Sequence, residues 1–174
     1  MDKTQSVNKI TKLESVAEKA LGKKLNLPDS LGIYAPFTNY LENDKSDLLN
    51  SEYKIYSRID ASCGTCIGHI NSWNELVPEF NKHKVPIILI CTSDDDFELI
   101  KHFYETGEIL DFGYPFFLDK KNEFVQSNSF MLNDKGFETV LTDKNDNILL
   151  LGSPIQSKSM HDLYLQEIQK RLKE

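Results

Sequence analysis

Nowhere in the 174 residues do about eighteen apolar residues run together, so nothing in the sequence is suited to cross a bilayer as a helix. Basic charge is in short supply. Twenty Lys and Arg face 27 Asp and Glu, a net charge of −7, which argues against a nucleic-acid partner, since that affinity rests on Lys and Arg neutralising phosphates. The opening residues, MDKTQSVNKI, lack the apolar stretch of a secretory leader. That is expected either of a cytosolic protein or of a chain whose leader has been removed and replaced by Met1. Cysteine is scarce and odd in number, three in all, so one must stay free or pair elsewhere. A Cys₄ or Cys₂His₂ zinc site needs a second pair of ligands, and none is spaced to supply it. Repeats and low-complexity segments are absent as well. What remains is the composition of one ordinary domain, with 40% apolar residues, ten Phe and seven Tyr to build a core.

The chain is organised around Lys54–Phe80, where a strand-like run leads into Cys63-Gly64-Thr65-Cys66 and then directly into an amphipathic helix. Two cysteines two residues apart at the mouth of a strand–helix turn form a redox pattern. At about 100° per residue, Cys66, Ile70, Trp73, Val77 and Phe80 fall on one apolar stripe. Cys63 falls in the first turn, where amide N–H groups lack helical partners. Cys66 is therefore expected to be buried and Cys63 exposed in a positive end-field that lowers its thiol pKa. A structural disulfide or half of a zinc site is the competing reading of the same pair.

Before this stretch, Ile10, Leu13, Val16, Ala17, Ala20 and Leu21 recur at helical spacing and Gly22 stands where a C-terminal cap belongs. Residues 1–24 thus read as an N-terminal helix and tether, and 25–174 as the main domain. Asn26 to Asp44, broken by Pro28, Gly32 and Pro36, predicts short extended pieces and turns. Tyr53–Ile59 predicts a strand. Val85–Cys91 is an unbroken apolar run, as for a strand covered on both faces of a parallel sheet. The next helix is expected to start from Ser93 or Asp94, with Phe97, Ile100, Phe103 and Tyr104 facing inward. Asp94-Asp95-Asp96 is read as a helix-start preference for acidic residues rather than a metal site. Tyr114–Leu118 predicts a short strand, Glu138–Asp143 and Ile148–Leu151 a hairpin, and Met160 to Leu172 a final amphipathic helix.

This order of elements resembles the thioredoxin fold over roughly Leu25 to Leu172. The helical insert followed by FGYPFFLDKKNEF resembles the TlpA/ResA-type branch of extracytoplasmic, membrane-tethered thiol-disulfide proteins. GKKLNLPDSL at Gly22–Leu31 and the ending DKNDNILLLGSPI are similar to a group of small thioredoxin-like lipoproteins. The resemblance implies an α/β three-layer sandwich with a mixed sheet, an extra N-terminal helix and a helical insert. It also implies a periplasmic location, with the membrane met only through a lipid anchor removed from this chain. Four positions depart from the family pattern. Ser62 replaces the usual Trp before the first cysteine, Gly64-Thr65 lacks the common proline, and Asn71 replaces a helix proline, which removes a kink. Glu138, or Phe137 if the alignment slips by one, stands where the family has its cis-proline, and a cis bond without proline costs about 3 kcal/mol.

Three functions fit these residues. The first is a thiol-disulfide oxidoreductase acting on protein thiols or disulfides, with Cys63 as nucleophile, Cys66 as resolving thiol and no cofactor. There His69, three residues after the second cysteine, can lie over Cys66 and move its proton, and Glu138 brings a carboxylate whose charge raises the Cys63 pKa. The second is a binding module that keeps a stable disulfide and has lost turnover. The third is a metal carrier using Cys63, Cys66 and His69, since thiolates beside imidazole suit Cu(I) or Zn. Cys91 reads as a buried spare, and His83 and His102 as solvated. A peroxidase is not supported, because Asp60-Ala61-Ser62 lacks the Thr/Pro-rich loop of peroxide-reducing relatives.

Overall fold

The computed structural model describes residues 3–42 and 44–174. Met1, at which a removed leader would join, and Asn43 of the Asn26–Asp44 stretch lie outside the described residues. The elements in chain order are α1 (Lys3–Ala20), β1 (Gly32–Tyr34), α2 (Lys45–Leu49), β2 (Tyr53–Asp60), α3 (Gly64–Lys82) and β3 (Ile87–Thr92). They are followed by α4 (Glu98–Glu105), β4 (Phe116–Leu118), α5 (Glu123–Ser127), β5 (Thr139–Asp143), β6 (Ile148–Leu151) and α6 (Lys158–Arg171). Two 3-10 turns, Ser129–Leu132 and Lys135–Glu138, fill the connection between α5 and β5.

One mixed sheet runs in the order β1-β4-β3-β2-β5-β6. β2 and β3 are parallel, β3 and β4 are parallel, and β5 pairs antiparallel with both β2 and β6. All six residues of β3 are buried, which is why its sequence shows no alternation: parallel crossovers place helices over the faces of the sheet. Crossovers from β2 to β3 and from β3 to β4 move the same way across the sheet, so right-handed connection puts α3 and α4 on one face. The return from β4 to β5 runs back across the sheet through α5 and the two 3-10 turns. α6 joins α3, as the edge-on contacts of Phe80 with Tyr164 and His161 and the 2.8 Å His161–Glu79 hydrogen bond show. The result is the expected three-layer α/β sandwich.

The N-terminal piece is stitched to the hairpin. Gly22, at φ 76°, donates its N–H to the Ile148 carbonyl at 2.8 Å. Ile148 in turn donates to Lys23, and Leu25 to Asp146. Glycine at Gly22 avoids the cost of that left-handed conformation. Along α1 the expected inner face is only partly realised. Ala20 is buried, but Ile10 and Leu21 stay 56% and 44% exposed, because the sheet reaches only the end of the helix.

Two other expectations need correction. Ile67, not Cys66, heads the buried stripe of α3 with Ile70, Trp73, Val77 and Phe80. α4 begins at Glu98 rather than at Ser93, because Asp96 and Phe97 hold left-handed φ values of 55° and 64°. Such values are incompatible with helix continuation, and Ser93 Oγ instead accepts the N–H groups of Asp95 and Phe97. Pro78 lies inside α3.

Candidate functional site

Cys63 is the N-cap of α3, with extended φ and ψ of −116° and 110°, and its sulfur accepts the Cys66 N–H at 3.3 Å. The turn is fixed from both sides. Cys63 N donates to the Asp60 carbonyl, Ser62 N donates to Asp60 Oδ1, and Ala61 N donates to the Thr92 carbonyl of the adjacent strand. Cys63 and Cys66 are joined in a disulfide with Cα atoms 5.2 Å apart. Both are half-buried, so the expected contrast of a buried Cys66 with an exposed Cys63 is not found. Cys66 instead looks sideways into a groove of about 410 Å³.

Four elements line that groove beside Cys66. α3 gives His69 and Trp73, β2 gives Arg58 and Asp60, the turn before β5 gives Lys135 and Glu138, and the segment after β6 gives Ser153 and Gln156. His69 is exposed and shares this wall with Cys66, whereas Phe137, Gly64 and Thr65 are not among the lining residues. The peptide before Glu138 is trans, as are all bonds among the described residues. Lys135–Glu138 forms a 3-10 turn held by Gly136 and Phe137 N–H groups donating to Asp134.

Arg58 was not visible as a site residue in the sequence. It sits on the central strand, donates from Nε to Thr92 Oγ1 at 2.9 Å, and from Nη1 to Glu138 Oε1 at 2.8 Å. Nothing local marked it out, since β2 also carries Lys54, Ser57 and Asp60. The Glu138 charge is therefore paired, not bare as expected. Below the pair, Ser57 and Thr139 share a buried 2.7 Å hydroxyl contact that fixes β5 to β2 beside the groove.

The remaining candidates lie apart from this site. Cys91 is fully buried on β3, and burial pushes its thiol up to about 12. His83 caps the C-terminus of α3 and His102 is exposed on α4. Among the described residues, no three His, Cys, Asp or Glu side chains come together as a metal-holding group, so the donor set of a carrier is not assembled. Asp95 instead accepts from Ser93 Oγ, the Leu99 amide and Ser62 Oγ, bonds that hold its carboxyl below the usual range against the opposing effect of desolvation. Asn71 donates to the Glu108 carbonyl and accepts from Leu110 N, tying α3 to the connection after α4.

Among solved structures, the chain is similar to the thioredoxin domain of a thiol-disulfide oxidoreductase from Bacteroides vulgatus. The TM-score is 0.55 at 15% identity over 83% of this chain and 97% of the other. The fold is thioredoxin-like. A protein provisionally named a protein disulfide isomerase from Bacteroides thetaiotaomicron gives 0.53 at 19% identity, covering 88% of this chain and 91% of that one. One provisionally named thiol:disulfide interchange protein DsbE from Chlorobium tepidum gives 0.51 at 14% identity over 85% and 97%. No protein-family model matches the chain, and no curated protein matches it by sequence. In this thioredoxin-like frame the disulfide stands at the start of the helix that follows the central strand. The insert α4–β4 extends the sheet beyond β3, with β1 on its edge.

Proposed function

We propose that the protein is a thiol-disulfide oxidoreductase acting on protein substrates through Cys63 and Cys66. The observation that carries this reading is the half-buried disulfide at the N-terminus of α3, whose Cys66 lines a groove of about 410 Å³. In the reducing direction the Cys63 thiolate attacks one sulfur of a substrate disulfide. A mixed disulfide forms and one substrate thiolate leaves, taking up a proton. The Cys66 thiolate then attacks the Cys63 sulfur, closing the Cys63–Cys66 bond and releasing the second substrate thiol. Two electrons pass to the substrate and the protein ends oxidised. The reverse sequence oxidises a substrate dithiol.

The chain's own residues support each step. The positive end of α3 and the Cys66 N–H favour negative charge on the Cys63 sulfur. His69 shares the groove with Cys66 and can relay the proton that thiol loses. Neighbours named a thiol-disulfide oxidoreductase and a thiol:disulfide interchange protein support this reading, and an extracytoplasmic TlpA/ResA-type setting, in which compartment decides the resting redox state, belongs to the same proposal. No helix among the described residues is long and apolar enough to cross a membrane, and attachment through a lipid anchor belongs to the same proposal.

The test is reduction of insulin disulfides by the purified, reduced protein against its Cys63→Ser variant, with metal content measured in parallel. Turnover that disappears in Cys63→Ser is the expected result. A disulfide that neither exchanges nor turns over would leave a binding module with a structural cross-link, and stoichiometric metal on the dithiol would point to the carrier.

A further inference from the structure

The groove beside the disulfide contains an ion pair that neither the helix-end effect nor the cysteines require. Arg58 is the one positive side chain of β2 that faces it, and β2 is the central strand. Its guanidinium is held at one end by Thr92 Oγ1 of β3 and at the other by Glu138 Oε1 of the turn leading into β5. One side chain thus ties three neighbouring parts of the sheet together at the wall where Cys66 emerges. Both partners remain partly open to solvent, at 25% and 22% exposure. They are therefore not a sealed core pair whose role ends with packing.

We infer that Arg58 is a positioning residue of the redox site, which fixes Glu138 at the groove wall and cancels its charge there. The inference rests on the reading of Cys63 and Cys66 as a redox pair. Two consequences separate this from a structural salt bridge. The 3-10 turn Lys135–Glu138 has a trans backbone, and Glu138 is tied to the sheet by its side-chain bond to Arg58. Second, the pair is electrically balanced only while both members are present. Arg58, Glu138 and Cys66 line the same groove, so an unbalanced charge on this wall acts on the dithiol, and less strongly as salt is raised. Removing Glu138 leaves a bare cation, which favours thiolate. Removing Arg58 leaves a bare carboxylate, which disfavours it. The other titratable groups on the groove are Asp60 from β2, His69 from α3 and Lys135 from the 3-10 turn. They are unchanged in every variant and so cancel in the comparison.

The experiment is titration of thiolate absorbance in the reduced protein, for wild type, Arg58→Gln, Glu138→Gln and the double variant. Melting curves establish that each is folded. The two sulfurs titrate as a pair, so the apparent values of the pair are compared. Glu138→Gln is expected to move thiolate formation down and Arg58→Gln to move it up. Each shift should be about half to one pH unit, or about three- to tenfold in thiolate at fixed pH. The double variant should return close to wild type, and Arg58→Lys should stay near it by keeping the charge. Single shifts in the same direction, or curves that coincide, would overturn the inference. So would a failure of the double variant to return. The titration needs no turnover. Opposite shifts in a protein that fails to reduce insulin would therefore sink the proposed function alone, and coincident curves in an active enzyme would sink only this one.

Discussion

The Cys66 amide N–H points at the Cys63 sulfur across 3.3 Å, the side-chain cap of α3. A sulfur in that position can keep the hydrogen bond as a thiolate after the disulfide is reduced, and it stands in the field of the helix end. Cys91 has neither advantage, since burial holds its thiol near 12. In the reduced protein, Cys63 should alkylate first at neutral pH. Cys91 should stay unlabelled until the protein unfolds. Peptide mapping after a short iodoacetamide pulse reads the order directly, and early labelling of Cys66 or Cys91 would refute the assignment of the nucleophile.

Asn71 predicts a local effect. Its side chain bonds both the Glu108 carbonyl and the Leu110 amide, at 3.0 and 2.9 Å, and both bonds are near solvent. Asn71→Ala should cost about 1 to 2 kcal/mol of stability, given about 0.5–1.5 kcal/mol per hydrogen bond. Amide exchange at Leu110 should quicken much more than exchange in β3, since the loss loosens the insert without opening the sheet. Uniform acceleration across the chain would mean that Asn71 supports the whole fold.

The strands and the dithiol helix were readable because their signals are local: five successive apolar residues, Ile87 to Cys91, for β3, a 3.6-residue stripe for α3, and Asp143 to Asn147 for the hairpin turn. Errors arose where long-range contacts decide. By spacing alone Cys66 stands in the middle of the apolar stripe with Ile70, Trp73, Val77 and Phe80, and Ile67 at its margin. Only the groove beside α3 turns Cys66 toward the opening while Ile67 enters the core. Two left-handed residues moved the start of α4, a backbone choice that Asp and Phe do not announce. Arg58 and Glu138 are 80 residues apart. No spacing rule connects them, so the pair that balances the site appeared only once β2 and β5 were seen side by side.

Asp143 gives a prediction with a defined pH sign. Desolvation alone would raise its carboxyl, but hydrogen bonds from Asn147 and Asn145 and the nearby Lys54 charge bring the net shift down. A carboxyl depressed in the folded state contributes its stability fully above the unfolded pKa of about 3.9 and loses it as pH falls through the lower folded value. The difference in unfolding free energy between wild type and Asp143→Asn should be constant above about pH 5 and should shrink below about pH 4. Urea titrations at pH 3, 4, 5 and 7 measure it, and a difference that grows toward acid would contradict the sign.

The largest single loss of stability is expected at Lys54. Its ammonium is completely buried at the start of β2, yet all three donors are used: Asp146 Oδ1 at 2.7 Å, the Leu49 carbonyl at 2.8 Å and the Lys144 carbonyl at 3.1 Å. The Asp146 carboxylate also accepts from the Tyr56 hydroxyl at 2.9 Å. Burial and the neighbouring carboxylate both push that phenol far above its ordinary range, so it remains a donor. Lys54 thus joins the end of α2, the hairpin turn and the central strand through one point. Lys54→Met keeps much of the volume but strands a partly buried carboxylate and two carbonyls. Breaking a buried pair in this way costs about 3 to 5 kcal/mol, a large part of the 5 to 15 kcal/mol typical of a domain. Asp146→Asn retains an oxygen for both donors and should cost less. Lys54 begins β2, whereas Cys63 follows the other end of that eight-residue strand, so the folded fraction of Lys54→Met should alkylate at Cys63 at the wild-type rate. A urea midpoint unchanged by Lys54→Met would show that the buried ammonium is no better than a hydrocarbon in its place. A lowered midpoint together with slowed Cys63 labelling in still-folded protein would show instead that this end of the sheet and the disulfide are coupled.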